Sequence, residues 1–314
     1  SGSIRERRLA LVGLTELADE SPEACLEAVP VLSSELHAAE TDIRAATLDI
    51  LAAVAEAHPD HVLPAADNVL SILHPDAEPR ILRGAIRVVA AIADHEPKAV
   101  MDAAPTLTAV LQEGGPGESM AITALHRIAP AYPDAVVPAA SELIQYVEHS
   151  DGSERVGAIA VLGAISKEYP NVAESTIPVA SELLDAEDNR LRANAAGLLA
   201  DLAEEYAEEV RAVVPRAIEL LSDTDEKARY NATSILARIA KTHPEDVEPA
   251  VGPLVDALDD DFPQSRANAC WALGYLKVDR ALDSLKELER TDENEEVQHA
   301  AGFAINEITS NSSE

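Results

Sequence analysis

Two stretches of this sequence read almost alike. Residues 192–199 are Arg-Ala-Asn-Ala-Ala-Gly-Leu-Leu, and residues 266–273 are Arg-Ala-Asn-Ala-Cys-Trp-Ala-Leu. Their arginines are 74 residues apart, which is twice 37, and Arg229 lies midway between them. A fixed period of this length is typical of proteins built from stacked structural repeats. We call the position of these arginines in each repeat the register position. From the start of the chain, the residues at this position are Arg7, Arg44, Leu82, Glu118, Arg155, Arg192, Arg229 and Arg266.

Each unit carries the same apolar pattern after its register position. A small residue follows at offset 3, and Leu, Val or Ile follows at offsets 7 and 10. Because offsets of 3, 7 and 10 share one face of a helix, every unit is predicted to begin with an amphipathic helix. The residues at offset 3 are Ala10, Thr47, Ala85, Ala121, Ala158, Ala195, Ala232 and Ala269.

A second helix is predicted in each unit from its prolines and its apolar tail. An earlier proline suits the first helical turn, whereas a later proline either kinks the helix or marks its true start. The pattern leaves both readings open. The earlier prolines are Pro22, Pro59, Pro97, Pro133, Pro170 and Pro244, and the later ones are Pro30, Pro64, Pro105, Pro138, Pro178, Pro215 and Pro253.

The motifs at residues 192–199 and 266–274 resemble those of the HEAT-repeat family, and the last unit also resembles the shorter HEAT-like repeats of the phycobilin-lyase type. The resemblance implies a curved stack of helix pairs with a concave binding surface. We therefore expect an all-α fold, a right-handed α-solenoid of about eight HEAT-like helix pairs plus a C-terminal capping helix. Residues 1–314 would form one solenoid, in which the Gly-rich segment at 113–117 is either a hinge or an ordinary longer turn.

The repeated arginines are expected to form a structural ladder. Together with asparagines two residues later, they would tie neighbouring turns to acids such as Asp223 or Asp225. Anion binding is the alternative role for these cations. The ladder residues are Arg44, Arg155, Arg192, Arg229, Arg266, Asn194, Asn231 and Asn268.

The charge balance narrows the range of partners and environments. The chain has 57 acidic and 24 basic residues, only 6 of them Lys, and a net charge of −33. Such a chain is a poor partner for nucleic acid or an anionic membrane. Because molar salt screens self-repulsion, we expect a salt-rich host. Cys25 and Cys270 show no metal-ligand spacing, and no signal peptide is evident. Both observations favour a reducing cytoplasm as the location of the protein.

Three aromatic residues near the end of the chain interrupt the pattern. Offset 5 is mostly polar or small, as at Asp49 and Thr123, and is expected to face solvent, but in the last two units it is Trp271 and Phe303. Tyr275 lies four residues after Trp271 and so on the same helix face. Trp271, Tyr275 and Phe303 therefore form either a partner-binding patch or a C-terminal cap. In the cap, Trp271 and Phe303 are covered by residues 309–314 or packed on themselves.

No catalytic motif stands out in the sequence. There is no nucleophile elbow or phosphate loop, and His58 and His61 lack a clear third ligand, so no enzyme activity, metal or cofactor is expected. The favoured function is a non-catalytic scaffold or adaptor for protein partners in a high-salt cytoplasm, without nucleic acid binding or membrane insertion. The alternatives are an enzyme-associated or lyase-type maturation factor, or a fragment of a larger protein, since the chain begins Ser1-Gly2-Ser3 and its first helix lacks a clear capping segment.

Overall fold

The computed structural model describes residues 3–310, and within them every regular element is helical. The all-α fold class is therefore confirmed. The chain divides into two compact units, Ser1–Ile165 and Ser166–Glu314. The principal helices are α1 (Ile4–Glu20), α2 (Val29–Glu35), α3 (Thr41–Ala57), α4 (Ala66–Ile72), α5 (Pro79–Ala93), α6 (Ala104–Glu113), α7 (Glu118–Ile128), α8 (Ala140–His149), α9 (Gly152–Ser166), α10 (Ile177–Leu183), α11 (Asn189–Leu202), α12 (Val214–Leu220), α13 (Glu226–Thr242), α14 (Val251–Asp256), α15 (Pro263–Tyr275), α16 (Leu282–Thr291) and α17 (Glu295–Ser310).

Odd-numbered helices are the first helices of the repeats, and even-numbered helices are the second. In the first unit α1, α3, α5 and α7 pack successively on one another, and in the second unit α11, α13, α15 and α17 do the same. Most second helices pack against the first helix that follows them, as α12 does on α13 and α16 on α17. Each unit is thus two layers of helices that bury a common apolar core.

Five of the later prolines lie in the first turn of the second helices, whereas Pro64 and Pro138 lie in the 3₁₀ segment just before them. In four repeats an α-helical turn opened by the earlier proline leads into a short 3₁₀ segment, after which the longer helix begins. Pro178 and Pro215 occupy the first turn of α10 and α12, where the missing N–H of proline leaves no hydrogen bond unmade. These lead-in segments are Pro22–Ala28, Pro59–Val62, Leu63–Ala65, Pro97–Ala99, Met101–Ala103, Pro133–Val136, Val137–Ala139, Pro170–Ala173, Glu174–Thr176, Ala207–Val210, Arg211–Val213, Pro244–Val247, Glu248–Ala250 and Asp279–Ala281, with Ala257–Asp259 following α14.

The first helix does have a capping segment, contrary to the sequence expectation. The hydroxyl of Ser3 accepts a hydrogen bond from the Glu6 N–H, and the Glu6 carboxylate accepts one from the Ser3 N–H. This reciprocal pair satisfies two N–H groups that a helix terminus otherwise leaves free. Sequence inspection missed it because the glutamate lies among three arginines.

The Gly-rich segment lies inside the first compact unit. Gly114, Gly115 and Gly117 have φ angles of 74°, 107° and 121°, which favour glycine. The carboxylate of Glu118 accepts hydrogen bonds from the Gly115 N–H and from the Tyr146 hydroxyl. Glu118 occupies the register position, where most repeats have arginine, and connects this turn to Tyr146 of the following helix. The hinge at 113–117 stays a prediction.

Candidate protein-binding surface

The three aromatic residues selected from the sequence meet between α15 and α17. The ring centroids of Trp271 and Phe303 are 4.4 Å apart with the planes inclined at 44°, and those of Tyr275 and Phe303 are 5.3 Å apart at 65°. His299 adds an edge-to-face contact with Trp271 at 5.8 Å. We call Trp271, Tyr275, Phe303 and His299 the aromatic cluster. Offset and edge-to-face arrangements of this kind stabilise aromatic pairs beyond their area of contact.

Close packing of the two helices positions the cluster. A Cβ atom on Gly274 would lie 2.9 Å from the Cα of Ala304, so α15 and α17 approach more closely than any larger residue allows. Lys277 then ends α15 with a φ of 53°, and the Val278 N–H donates to the Leu273 carbonyl across this turn. The helix therefore stops just after Tyr275.

The same helix face is polar one repeat earlier. In α13 the equivalents of Trp271 and Tyr275 are Ser234 and Arg238, whose side chains hydrogen-bond to each other. Arg238 Nε also lies 3.3 Å from a carboxylate oxygen of Glu204. The equivalent helix surface is therefore ion-paired in α13 and aromatic in α15.

The prediction that offset 5 faces solvent is confirmed at Val12 and Thr123, which are exposed, and needs correction in the last repeats. Trp271, Tyr275 and Phe303 are half-buried, and Ser234 is buried beneath Arg238. Thr309 and Ser310 belong to α17, where their hydroxyls donate to main-chain carbonyls. Residues 311–314 lie outside the described residues, so the cap and the patch both stay open.

Three of the predicted ladder arginines form two-pronged ion pairs with aspartates of the following repeat. Each guanidinium also donates to a carbonyl of the loop that leads into its own helix, and each aspartate accepts the N–H two residues after it. The Nε to Oδ2 distances are 2.7 Å for Arg192–Asp223, 2.6 Å for Arg229–Asp260 and 2.8 Å for Arg266–Asp292.

These contacts link into one chain, which we call the Arg–Asp chain. Arg229 Nη1 donates to the main-chain oxygen of Asp223, whose carboxylate already holds Arg192. At the last repeat Gln298 takes the register position and donates to the Asp292 carbonyl over 2.6 Å. The arginine hydrogen bonds lower the pKa of Asp223 and of Asp292, so both stay ionised. The side chains of these pairs are largely buried, and the structural role of the arginines stays a prediction.

The other predicted ladder residues behave differently. Arg155 Nε donates to the Val147 carbonyl at 2.7 Å, whereas Arg44 makes only a 3.5 Å contact with the Thr41 hydroxyl. Asn231 ties α13 to α11 by donating to the Ala193 carbonyl at 2.8 Å rather than to an acid. The Nδ2 atom of Asn268 is buried without a hydrogen-bond partner among the described residues, and Asn194 occupies the equivalent place in α11.

The histidine pair does not assemble a metal site. The rings of His58 and His61 lie 6.0 Å apart, and no group of three or more potential metal ligands was found within residues 3–310. Cys25 and Cys270 are free and buried, and burial raises the pKa of Cys270 to about 12. A thiol of that pKa is not a nucleophile at neutral pH.

Sequence reasoning missed two features. One is His299, whose position four residues before Phe303 could have placed it in the aromatic cluster. The other is a set of exposed apolar side chains in the first repeat, where Val12 stands at the same offset as Trp271 and is 59% exposed. No helix among the described residues is both long and apolar enough to cross a bilayer.

Comparison with known proteins supports the architecture. A family model described as HEAT repeats matches residues 249–313. The crystal structure of an engineered protein superposes with a TM-score of 0.80 at 22% identity, covering 96% of this chain and 84% of that one. A chain from a study of the phosphorylation switch that controls the interaction between cadherin and beta-catenin superposes with a TM-score of 0.74 at 14% identity, covering 95% of this chain and 65% of that one.

A search of curated protein sequences found no match. The structural similarities are below 25% identity and so bear on fold alone. The chain is an α-solenoid of helix-pair repeats, and its residues 249–313 are similar to HEAT repeats.

Proposed function

We propose that this protein is a non-catalytic scaffold that binds a protein partner through the aromatic cluster on α15 and α17. The observation that carries the proposal is the exchange of Ser234 and Arg238 for Trp271 and Tyr275 at equivalent positions. Half-buried aromatic side chains held on helices supply contact area with little loss of entropy, which is why aromatic residues dominate binding at many interfaces. The solenoid fold, which the structural neighbour from the cadherin–beta-catenin study shares, is compatible with this role.

We further propose that the scaffold works in a salt-rich, reducing cytoplasm. A net charge of −33 with only 6 lysines would cause strong self-repulsion in dilute buffer, and molar salt reduces the Debye length to about 3 Å. The two free buried cysteines are compatible with a reducing compartment. At such ionic strength, binding must depend on apolar contact more than on charge.

The test of the partner site is affinity capture in molar KCl with two double variants. Trp271→Ala with Tyr275→Ala removes the cluster, while Tyr230→Ala with Phe262→Ala removes an aromatic pair at 5.7 Å outside it. We expect a stoichiometric protein that the first variant loses and the matched control retains. Equal retention by both variants, or capture of a coloured cofactor alone, would reject the scaffold assignment.

The test of the environment is thermal melting between 0.1 and about 3 M KCl. We expect the melting temperature to rise steeply with salt, because screening removes repulsion among the 57 acidic residues. A flat profile would contradict the proposed salt-rich setting but would leave the partner site untouched.

A further inference from the structure

The third repeat has an apolar residue at the register position. Most repeats have arginine there, and the two polar exceptions, Glu118 and Gln298, both form hydrogen bonds. In the third repeat the residue is Leu82, which is 6% exposed and has no polar atom in its side chain. This repeat therefore lacks the guanidinium group that the Arg–Asp chain has at the same place.

A cavity of about 90 Å³ lies beside Leu82, within the first compact unit. It opens between the loop before α5, the end of α6 and the glycine turn that follows α6. Its lining includes four exposed residues, Pro79, Glu113, Gly114 and Pro116. Since a water molecule in the liquid takes about 30 Å³, the cavity has room for a small polar group.

One wall of the cavity matches the main-chain acceptors of the Arg–Asp chain. Arg192 and Arg266 each donate to the carbonyl of the residue five positions earlier, which is Glu187 in one case and Asp261 in the other. The residue five positions before Leu82 is Ala77, and it lines the cavity. The backbone here follows the pattern that accepts guanidinium N–H groups in the second unit.

Glu113 brings a carboxylate to the same cavity. Each aspartate of the Arg–Asp chain lies six residues before the next register position, as Asp223 does before Arg229. Glu113 lies five residues before Glu118, and its side chain is one methylene longer than that of aspartate. It forms no ion pair with any of the described residues. The acceptors of a guanidinium are thus in place at this repeat, and the guanidinium itself is replaced by Leu82.

The arginines nearest to Leu82 in the sequence do not line the cavity. Arg80 lines a separate groove with Asp42 and Ile43 of α3. Arg83 follows Leu82 directly and so lies about 100° round α5 from it. A guanidinium group that fills this cavity therefore comes from outside the described repeats.

Charge alone does not select a guanidinium over another cation. A chain of charge −33 attracts every cation in dilute buffer, and molar salt screens this diffuse attraction. A guanidinium is planar and carries five N–H donors in a fixed fork, whereas the ammonium of lysine is a compact point charge. Only the guanidinium can donate in one plane to a carboxylate and a carbonyl together, so the preference rests on hydrogen-bond geometry at contact distance.

We propose that the cavity beside Leu82 binds the guanidinium group of an arginine from outside the described repeats. The Glu113 carboxylate and the Ala77 carbonyl accept its N–H groups, and Leu82 packs against its aliphatic stem. A free arginine derivative and an arginine side chain of a partner protein offer the same group. No residue of the aromatic cluster takes part, so failure of this proposal leaves the partner site on α15 and α17 untouched.

The first experiment supplies the guanidinium from within the chain. Leu82→Arg is compared with Leu82→Lys, which has the same charge, by thermal melting in about 2 M KCl, and each is also combined with Glu113→Gln. We expect Leu82→Arg to melt at a higher temperature than Leu82→Lys, and Glu113→Gln to remove that difference. Equal melting temperatures, or a difference that Glu113→Gln leaves intact, would overturn the proposal.

The second experiment supplies the guanidinium from outside and leaves the core unchanged. The probes are a peptide of about nine Gly and Ser residues with one central arginine, the same peptide with lysine, and acetyl-arginine-amide. Binding in about 2 M KCl is followed by the NMR shifts of the Gly114 and Gly115 amides. The test variant is Glu113→Gln, and the matched control, Glu96→Gln, removes one charge from an exposed glutamate elsewhere in the first unit.

We expect the arginine peptide to bind at least about fivefold more tightly than the lysine peptide, because the two differ in geometry and not in charge. Glu113→Gln should weaken the arginine peptide by about tenfold, and Glu96→Gln by less than about twofold. Binding of the peptide alone would support an arginine of a partner protein, and equal binding of acetyl-arginine-amide would support a free guanidinium compound. Equal binding of the arginine and lysine peptides, or equal losses in the two variants, would overturn the proposal.

Discussion

Removal of one link of the Arg–Asp chain should have a large and salt-resistant effect on stability. The link joins Arg266 Nε to Asp292 Oδ2 at 2.8 Å, and the two side chains are only 15% and 5% exposed. Arg216 and Asp185 form a pair of the same atom types at the same 2.8 Å, but they are 43% and 54% exposed. The chain thus contains its own comparison, in which the closest contact has the same atom types and distance, while burial differs and the buried pair has a second arginine hydrogen bond.

The magnitude follows from what each variant leaves behind. Arg266→Ala leaves the Asp292 carboxylate buried with the Asn294 N–H as its remaining donor at 2.9 Å, which should destabilise the fold by about 3–5 kcal/mol. Asp292→Ala leaves Arg266 with the Asp260 carbonyl at 2.8 Å and should lose about 2–3 kcal/mol. The double variant leaves neither charge unpaired, so we expect a coupling energy of about 2 kcal/mol.

The assay is urea unfolding followed by the fluorescence of Trp271, which lies on the same helix as Arg266. The cycle is measured in 0.15 and about 2 M KCl, together with the Arg216–Asp185 cycle. The exposed pair should couple by about 0.5 kcal/mol or less and lose even this in high salt. A buried coupling no larger than the exposed one, or one that salt abolishes, would refute the reasoning.

Four other outcomes are expected. Arginine pairing lowers the pKa of Asp223 and Asp292. The stability that these ionised carboxylates add should therefore be complete above about pH 4 and be lost as the pH falls through their lowered pKa values. Equal urea midpoints at about pH 3 and pH 6 would contradict this prediction. Lys277→Gly should relieve the positive φ and raise stability by about 0.5 kcal/mol in urea unfolding, and a loss would contradict this. Gly274→Ala should cost about 2 kcal/mol by the same measurement, because the new Cβ meets α17. Cys270, with a pKa of about 12, should resist iodoacetamide at pH 8 until urea unfolds its helix, and rapid labelling of the native protein would be inconsistent with its burial.

Most of the fold could be predicted from the helical periodicity of the apolar residues. Offsets 3, 7 and 10 lie on the buried face in the later repeats, as Ala232, Leu236 and Ile239 do, because that face meets a neighbouring helix on every side. In the first repeat the same offsets include Leu17, which is 37% exposed, since periodicity identifies an apolar face but does not show whether anything covers it. The prolines gave a second ambiguity, because both a kink and a helix start are compatible with proline at that position.

The candidate site was only partly predictable. Spacing of four residues placed Trp271 and Tyr275 on one face, and the repeat register brought Phe303 beside them. The half-burial of the cluster depends on how closely α15 and α17 approach at Gly274, and this distance arises from packing that no spacing rule describes. Likewise, the ladder arginines were recognisable by period, but the aspartate partner of each depends on loop geometry.

The Arg–Asp chain has a consequence for modularity. Each link takes its arginine from one repeat and its aspartate from the next, so removal of residues 224–260, which are 37 in number, would leave both Arg192–Asp223 and Arg266–Asp292 intact. The Asp223 carbonyl, which now holds Arg229, would become available to Arg266 in the same register. Because the links share one register, a deletion of one whole repeat at these loops would preserve the junction contacts, and the second unit would be shorter with its first and last links unchanged.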